Sequence, residues 1–295
     1  MLDGFATRRI DTAEASIHLA VGGAGPPLLM LHGYPQTHVC WHRVAPRLAR
    51  HFTLVCPDLR GYGESRGPSQ DRADHAGYSK RAMARDQVAA MTALGFERFA
   101  VTGHDRGGRV AYRLALDHPE RVSRLALLDI VPTGEMVSRV DRALAFASYH
   151  WFFLAQPFDL PERLIAADPD FYLDWTIASW LGEGAALAPE AMERYRAAFR
   201  KPAVIHAACE DYRAGLGIDA ELDAADKKAG RRIACPLLVL WGERRPERKA
   251  DQWLSIWRDW ATDVEGGPLT CGHFLAEERP DEIAARLERF FGAGA

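Results

Sequence analysis

The sequence predicts an α/β fold: a mostly parallel sheet covered on both faces, with a helical insertion after the sixth strand. Three observations carry this. Short apolar runs such as Leu28-Leu-Met-Leu31, Phe52-Thr-Leu-Val55 and Leu125-Ala-Leu-Leu128 alternate with helical patterns, the rhythm of a parallel sheet. The run Phe99-Ala-Val-Thr ends abruptly in Gly103-His-Asp-Arg-Gly107 and a helical pattern follows through Leu116, a strand, sharp turn and helix. After Pro132 the rhythm changes, and no strand pattern returns before Pro236-Leu-Leu-Val-Leu-Trp-Gly242.

Taken in order, Phe5–Asp11 and Ser16–Val21 read as an antiparallel pair joined to the sheet by the turn Gly22-Gly-Ala-Gly-Pro-Pro27. His18 lies in that alternation and reads as structural. Two strands follow, ending at His32-Gly-Tyr-Pro35 and at Pro57-Asp-Leu-Arg-Gly-Tyr-Gly-Glu-Ser65. Ser79–Leu94 is helical, with Met83, Val88, Met91 and Leu94 apolar. A weak last strand near Val264–Leu269 leads to Cys271-Gly-His273, and Asp281–Phe291 is a closing amphipathic helix. The expected organisation is a core of residues 1–132 and 233–295 with a helical cap of residues 133–232. Such a cap would lie over the carboxyl ends of the strands, where ligands of open α/β sheets bind.

Composition narrows the function classes. The 295 residues are 48% apolar and carry a net charge of −3 from well-mixed acids and bases. That is no electrostatic surface for nucleic acid or a membrane. No apolar run reaches the roughly 18 residues of a membrane span, and the first residues lack the apolar core of a secretory signal. The five cysteines are scattered, without a C-x-x-C pair. They read as small buried hydrophobes in a reduced, cytoplasmic setting rather than as a thiolate metal site, so no metal is expected.

The turn at residues 103–107 has the layout of a nucleophile elbow, with Asp105 where a serine commonly stands. A carboxylate there has no proton to lose. It attacks carbon directly and forms an ester with the enzyme. That restricts the chemistry to carbon bearing a displaceable group, chiefly alkyl halides and epoxides. The ester then needs a water-activating base. His273 is the candidate among eleven histidines, because it follows the last strand and completes the nucleophile–acid–histidine order of the α/β-hydrolase fold. Its acid partner is expected to be Asp129 at the end of the sixth strand, with Glu243 as fallback, since basic residues occupy the stretch after the seventh strand. The backbone N–H groups of Tyr34 and Arg106 are the expected oxyanion donors.

Arg106 and Arg109 stand at i and i+3 on the elbow helix and can share a face. Two guanidiniums beside an anionic nucleophile are costly unless they serve something, and their forks match a small carboxylate. The expected substrate is therefore a small acid.

With Gly103-His-Asp-Arg-Gly-Gly-Arg109, Asp129, His150-Trp151, Tyr212 and Cys271-Gly-His273 together, the whole chain resembles the haloacetate (fluoroacetate) dehalogenase branch of the α/β-hydrolases. The resemblance implies hydrolysis of short 2-haloacids, such as fluoroacetate or chloroacetate, to 2-hydroxyacids plus halide through an aspartyl ester, with no cofactor. It implies Asp105 as nucleophile, His273 as base supported by Asp129, and Arg106 and Arg109 on the carboxylate. It further implies His150, Trp151 and Tyr212 as halide donors, Trp180 in the wall of the same chamber, and a homodimer. On residue type alone those cap aromatics would read as ordinary core; an imidazole N–H, an indole N–H and a phenol O–H are nevertheless all donors that could replace fluoride's water. Departures from the family are Tyr34, which adds a hydroxyl, and the charged stretch 243–248. An epoxide hydrolase would share His32-Gly-Tyr-Pro35 and the aspartate but has no use for two elbow arginines. A catalytically silent acid-binding relative is the remaining alternative.

Overall fold

The computed structural model describes residues 1–68, 71–243 and 250–292. Eight strands form one sheet: β1 Ala6–Asp11, β2 Ser16–Gly22, β3 Pro27–Leu31, β4 Thr53–Pro57, β5 Phe99–His104, β6 Val122–Leu128, β7 Leu237–Gly242 and β8 Val264–Leu269. Their order across the sheet is β1-β2-β4-β3-β5-β6-β7-β8. The β1–β2 and β2–β4 pairs are antiparallel and the rest are parallel. The central strands are buried on both faces, which explains why they read as unbroken apolar runs rather than alternations.

Core helices cover the faces: α1 Ala45–Leu48, α2 Lys80–Ala93 and α3 Asp105–Asp117, then α12 Ala250–Trp260, α13 Leu275–Glu278 and α14 Pro280–Gly292. Ser79 caps α2, its hydroxyl accepting from the Ala82 N–H. Between β6 and β7 lie α4 Thr133–Ser138, α5 Arg142–Ala147, α6 Tyr149–Leu154, α7 Leu160–Ala167, α8 Pro169–Trp180, α9 Pro189–Phe199, α10 Pro202–Ala214 and α11 Ala220–Lys228. A π-helical turn, Gly215–Asp219, joins α10 to α11. No helix among the described residues is long and apolar enough to cross a membrane.

Parallel register sets the site. Leu31 pairs with Gly103, His104 with Leu128, and Leu128 with Leu240. The chain therefore leaves β3, β5, β6 and β7 at neighbouring points on one edge of the sheet. Helix α3 starts directly at the end of β5 and passes very close to β3. A Cβ on Gly107 would stand 2.3 Å from the His32 carbonyl oxygen, so only glycine fits there. Both Asp105 (φ 46°) and Asp129 (φ 55°) adopt left-handed backbone, a conformation that L-residues keep only when their surroundings enforce it.

Candidate active site

A small cavity opens where these strand ends meet the inserted helices. Asp105, Arg109, Asp129, His150, Trp151, Trp180 and His273 line it, with Met136, Leu144 and Trp253 among the apolar parts of the wall. It offers about 30 Å³ of room for the centres of water-sized spheres. A single water needs roughly 10–15 Å³ on that measure, so the free space suits a ligand of only a few atoms.

Asp105 is buried at the first turn of α3. The Tyr34 N–H donates to its Oδ2 at 3.0 Å. The Arg106 N–H belongs to the first helical turn, where backbone donors have no acceptor within the helix. Burial pushes the Asp105 carboxyl upward. His273 and the guanidiniums of Arg106 and Arg109 outweigh that push and hold it well below the usual carboxylate range. It is an anion at any working pH.

The His273 Nδ1–H donates to Asp129 Oδ2 at 2.5 Å, and the Gly242 N–H holds the other oxygen, Oδ1, at 3.0 Å. This fixes the proton on Nδ1 and makes Nε2 the basic nitrogen. Glu243, the fallback acid, is exposed and accepts from the Thr270 hydroxyl instead. His104 donates from Nε2 to the His273 carbonyl at 2.7 Å. Burial, aided by His273, depresses its pKa to about 3 and keeps it neutral.

The two arginines, expected to share a substrate carboxylate, are not equivalent in their surroundings. Arg106 is fully buried and spends Nε and Nη2 on Asp211, at 2.9 and 2.7 Å, with Nη2 also 2.7 Å from the Asp211 carbonyl. Lys80 and the Tyr62 hydroxyl bind the same carboxylate. Only Arg106 Nη1 is left without a hydrogen-bond partner. Arg109 donates from Nη1 to the Val131 carbonyl and the Thr133 hydroxyl, both at 3.0 Å. It is buried, its Nε has no hydrogen-bond partner, and it makes no ion pair among the described residues. Burial, together with the charge of Arg106, pushes its pKa down. The nearest opposite charge acting on it is the Asp105 carboxylate.

The inserted helices bring aromatic side chains together above this. Trp151 lies over both guanidiniums, 4.8 Å from Arg106 and 4.6 Å from Arg109. Tyr212 packs 5.2 Å from Trp151 and 5.6 Å from His150, ring centre to ring centre, and Trp180 lies 4.5 Å from His150. The Tyr212 hydroxyl is buried without a hydrogen-bond partner. Arg106 and Tyr212 do not line the open cavity but pack directly behind Trp151. Tyr34 also stands back from it, its ring 5.3 Å from Tyr212, so its extra hydroxyl is not in the wall. Of the charged stretch 243–248, residues 244–248 lie outside the described residues.

The sequence reading missed Asp211, Lys80, Tyr62 and Thr133. Asp211 adjoins Tyr212 in sequence, and that adjacency was the one signal available. One group among the described residues could hold a metal ion: His18, His38 and Asp58, whose ligand atoms lie within 4.8 Å of one another. It lies outside the cavity wall. Both imidazoles already face Asp58, at 3.2 and 2.7 Å, and the Asp58 oxygens also accept from the His38 and Glu64 N–H groups. The five cysteines are free thiols, and all but half-buried Cys235 are buried.

Residues 26–280 match the alpha/beta hydrolase fold family. The chain belongs to the alpha/beta hydrolase family. This hydrolase is 47% identical to a fluoroacetate dehalogenase from Burkholderia sp. over 98% of its own length and 95% of the relative's. It is 33% identical to a soluble epoxide hydrolase from Corynebacterium sp. strain C12 over 93% of each chain. A solved alpha/beta hydrolase from Nostoc sp. PCC 7120 superposes with a TM-score of 0.95 at 53% identity, covering 99% of both chains.

Proposed function

We propose that this hydrolase cleaves the carbon–halogen bond of a short 2-haloacid, with haloacetate to glycolate plus halide as the parent reaction. The observation that carries the reading is Arg109, a buried cation with no ion pair among the described residues, its Nε without a hydrogen-bond partner, on the same cavity as the elbow carboxylate. A small carboxylate would supply the missing charge, completed by Arg106 Nη1. The 47% identity to a fluoroacetate dehalogenase supports the same substrate class.

In this reading Asp105 Oδ1 attacks the halogen-bearing carbon from the side opposite the halide, which departs with the bonding electron pair. Oδ2, held by the Tyr34 N–H, becomes the ester carbonyl oxygen. His150, Trp151 and Tyr212 hydrogen-bond the departing halide, replacing water that fluoride could not lose unaided. His273 Nε2 then takes a proton from water as the water oxygen bonds to the Asp105 carboxyl carbon. Asp129 stabilises the imidazolium. The tetrahedral oxyanion at Oδ2 rests on the Tyr34 and Arg106 N–H groups. Its collapse breaks the ester C–O bond, and His273 returns the proton to the leaving hydroxyacid. Attack at the α-carbon inverts a chiral substrate.

Residues 133–232 serve as a cap that excludes water from a core of residues 1–132 and 233–295, with Trp180 in its wall. Exposed Phe146, Phe158, Leu160, Leu164, Phe171 and Trp175 all lie in the cap and suit a homodimer interface. The free, mostly buried thiols suit a cytoplasmic setting.

The 33% identity to an epoxide hydrolase favours a second reading, oxirane opening by the same aspartate. It leaves Arg109 without a role. Halide release from fluoroacetate and chloroacetate, beside diol formation from a simple aliphatic epoxide, separates the two. Halide release abolished in Asp105→Ala is expected. Diol formation without halide release would replace this reading with the second one.

A further inference from the structure

Glu278 closes α13, five residues after the candidate base, and is not part of the active-site cavity's lining. Its carboxylate accepts three backbone N–H bonds. Oε1 takes Phe274 N–H at 2.9 Å, and Oε2 takes Gly272 N–H and Gly182 N–H, each at 2.8 Å. Gly272 and Phe274 flank His273. Gly182 lies two residues past Trp180, on the inserted segment. A fourth bond closes the unit, from His273 N–H to the Trp180 carbonyl at 2.9 Å. The loop bearing the base is thus fastened on both sides, and through one carboxylate, to the segment bearing a wall of the cavity.

We propose that Glu278 is a positioning residue that registers His273 against the inserted helices, so that the imidazole reaches the Asp105 ester only while the Trp180–Gly182 segment is seated. A charged acceptor of three N–H bonds is a strong fastener, because each such bond is charge-assisted. Asp129 fixes the ring's tautomer and tilt but not the loop that carries it. The ring of Trp180 is itself edge-on to His273, with centres 5.3 Å apart, so a shift of either is felt by the other.

The proposal rests on the aspartyl-ester reading and predicts a defect in one half-reaction. Ester formation uses Asp105, Arg109 and the halide donors. Ester hydrolysis uses His273. Glu278→Ala is expected to leave the first-turnover burst of halide from chloroacetate nearly intact and to slow steady turnover about 10- to 100-fold, the cost of roughly 1 Å of misplacement. Mass spectrometry of the peptide carrying Asp105 should then show a carboxymethyl ester during turnover. Glu278→Gln keeps an acceptor oxygen and should fall between wild type and alanine. Gly182→Ala tests the link from the other side, since a Cβ there would stand 2.5 Å from Glu278 Oε2. It should accumulate the same ester, which keeps the test decisive even where Glu278→Ala folds poorly.

His273→Ala provides the reference. If it traps the ester while Glu278→Ala and Gly182→Ala do not, Glu278 is only a structural residue and the proposal is overturned. An equal loss in burst and steady rate would overturn it too. If His273→Ala releases halide yet traps no ester, the ester reading itself fails and the proposal falls with it.

Discussion

The cavity has two unlike halves. On the core side, polar groups are fixed before any ligand arrives: Asp105 by the Tyr34 N–H, Asp129 by the Gly242 N–H and His273, and Arg106 by Asp211. On the inserted side the walls are rings packed on rings, and behind them the buried Tyr212 hydroxyl has no hydrogen-bond partner. The core half is pre-ordered for a reaction at carbon. In the proposed reaction the inserted half receives the departing halide. On the proposed mechanism, bond-breaking chemistry belongs to the core and discrimination among leaving groups to the insertion.

Substitutions on the two sides should fail differently. The largest effect belongs to the elbow: Asp105→Ala should lower halide release by roughly 10⁴-fold or more for every halide alike, because the nucleophile is gone. Arg109→Met should come next, reducing kcat/KM for haloacetates by about 10²- to 10³-fold, again irrespective of halide. Unchanged kcat/KM in that variant would leave the buried cation without a purpose.

Tyr212→Phe tests the other half. It should cost fluoroacetate about 10- to 100-fold, the worth of one hydrogen bond to a developing anion, and bromoacetate far less. An equal loss for both would erase the distinction between the two halves. The smallest effect is on stability. Glu277 is a buried residue of α13, where it accepts from Tyr195 on α9 and from Gln36 beside the Tyr34 loop. Burial pushes its carboxyl up to about 8 from an ordinary 4.5. Its contribution to stability is thus fully present below about 4.5 and fades as pH rises through about 8. Thermal unfolding of Glu277→Gln, which cannot ionise, should therefore show a smaller drop in Tm than wild type between about pH 5 and pH 9.

The two halves also differed in how far the sequence disclosed them. The elbow, Asp129 and His273 were legible because each sits at a strand end, and strand ends follow from apolar runs and their punctuation. The long insertion was legible as helical, yet helical periodicity does not say which face of Tyr149–Leu154 or Pro202–Ala214 meets the core. His150, Trp151 and Tyr212 were singled out only through resemblance; the structure packs the three rings together, with His150 and Trp151 in the cavity wall and Tyr212 behind them. Asp211 escaped because its partner Arg106 is 105 residues away in the chain, and no local pattern marks a long-range ion pair. That one contact makes the two arginines unlike: Arg106 is anchored by Asp211, and Arg109 makes no ion pair among the described residues.

The central claim is that the core carboxylate, not water, attacks the substrate carbon. A single turnover of chloroacetate by excess protein in ¹⁸O-labelled water tests it directly. The account predicts unlabelled glycolate and one labelled oxygen in the peptide carrying Asp105, because water enters at the ester carbonyl. Label in the glycolate of that first turnover, with none in Asp105, would mean that water attacks the carbon itself, and would contradict it.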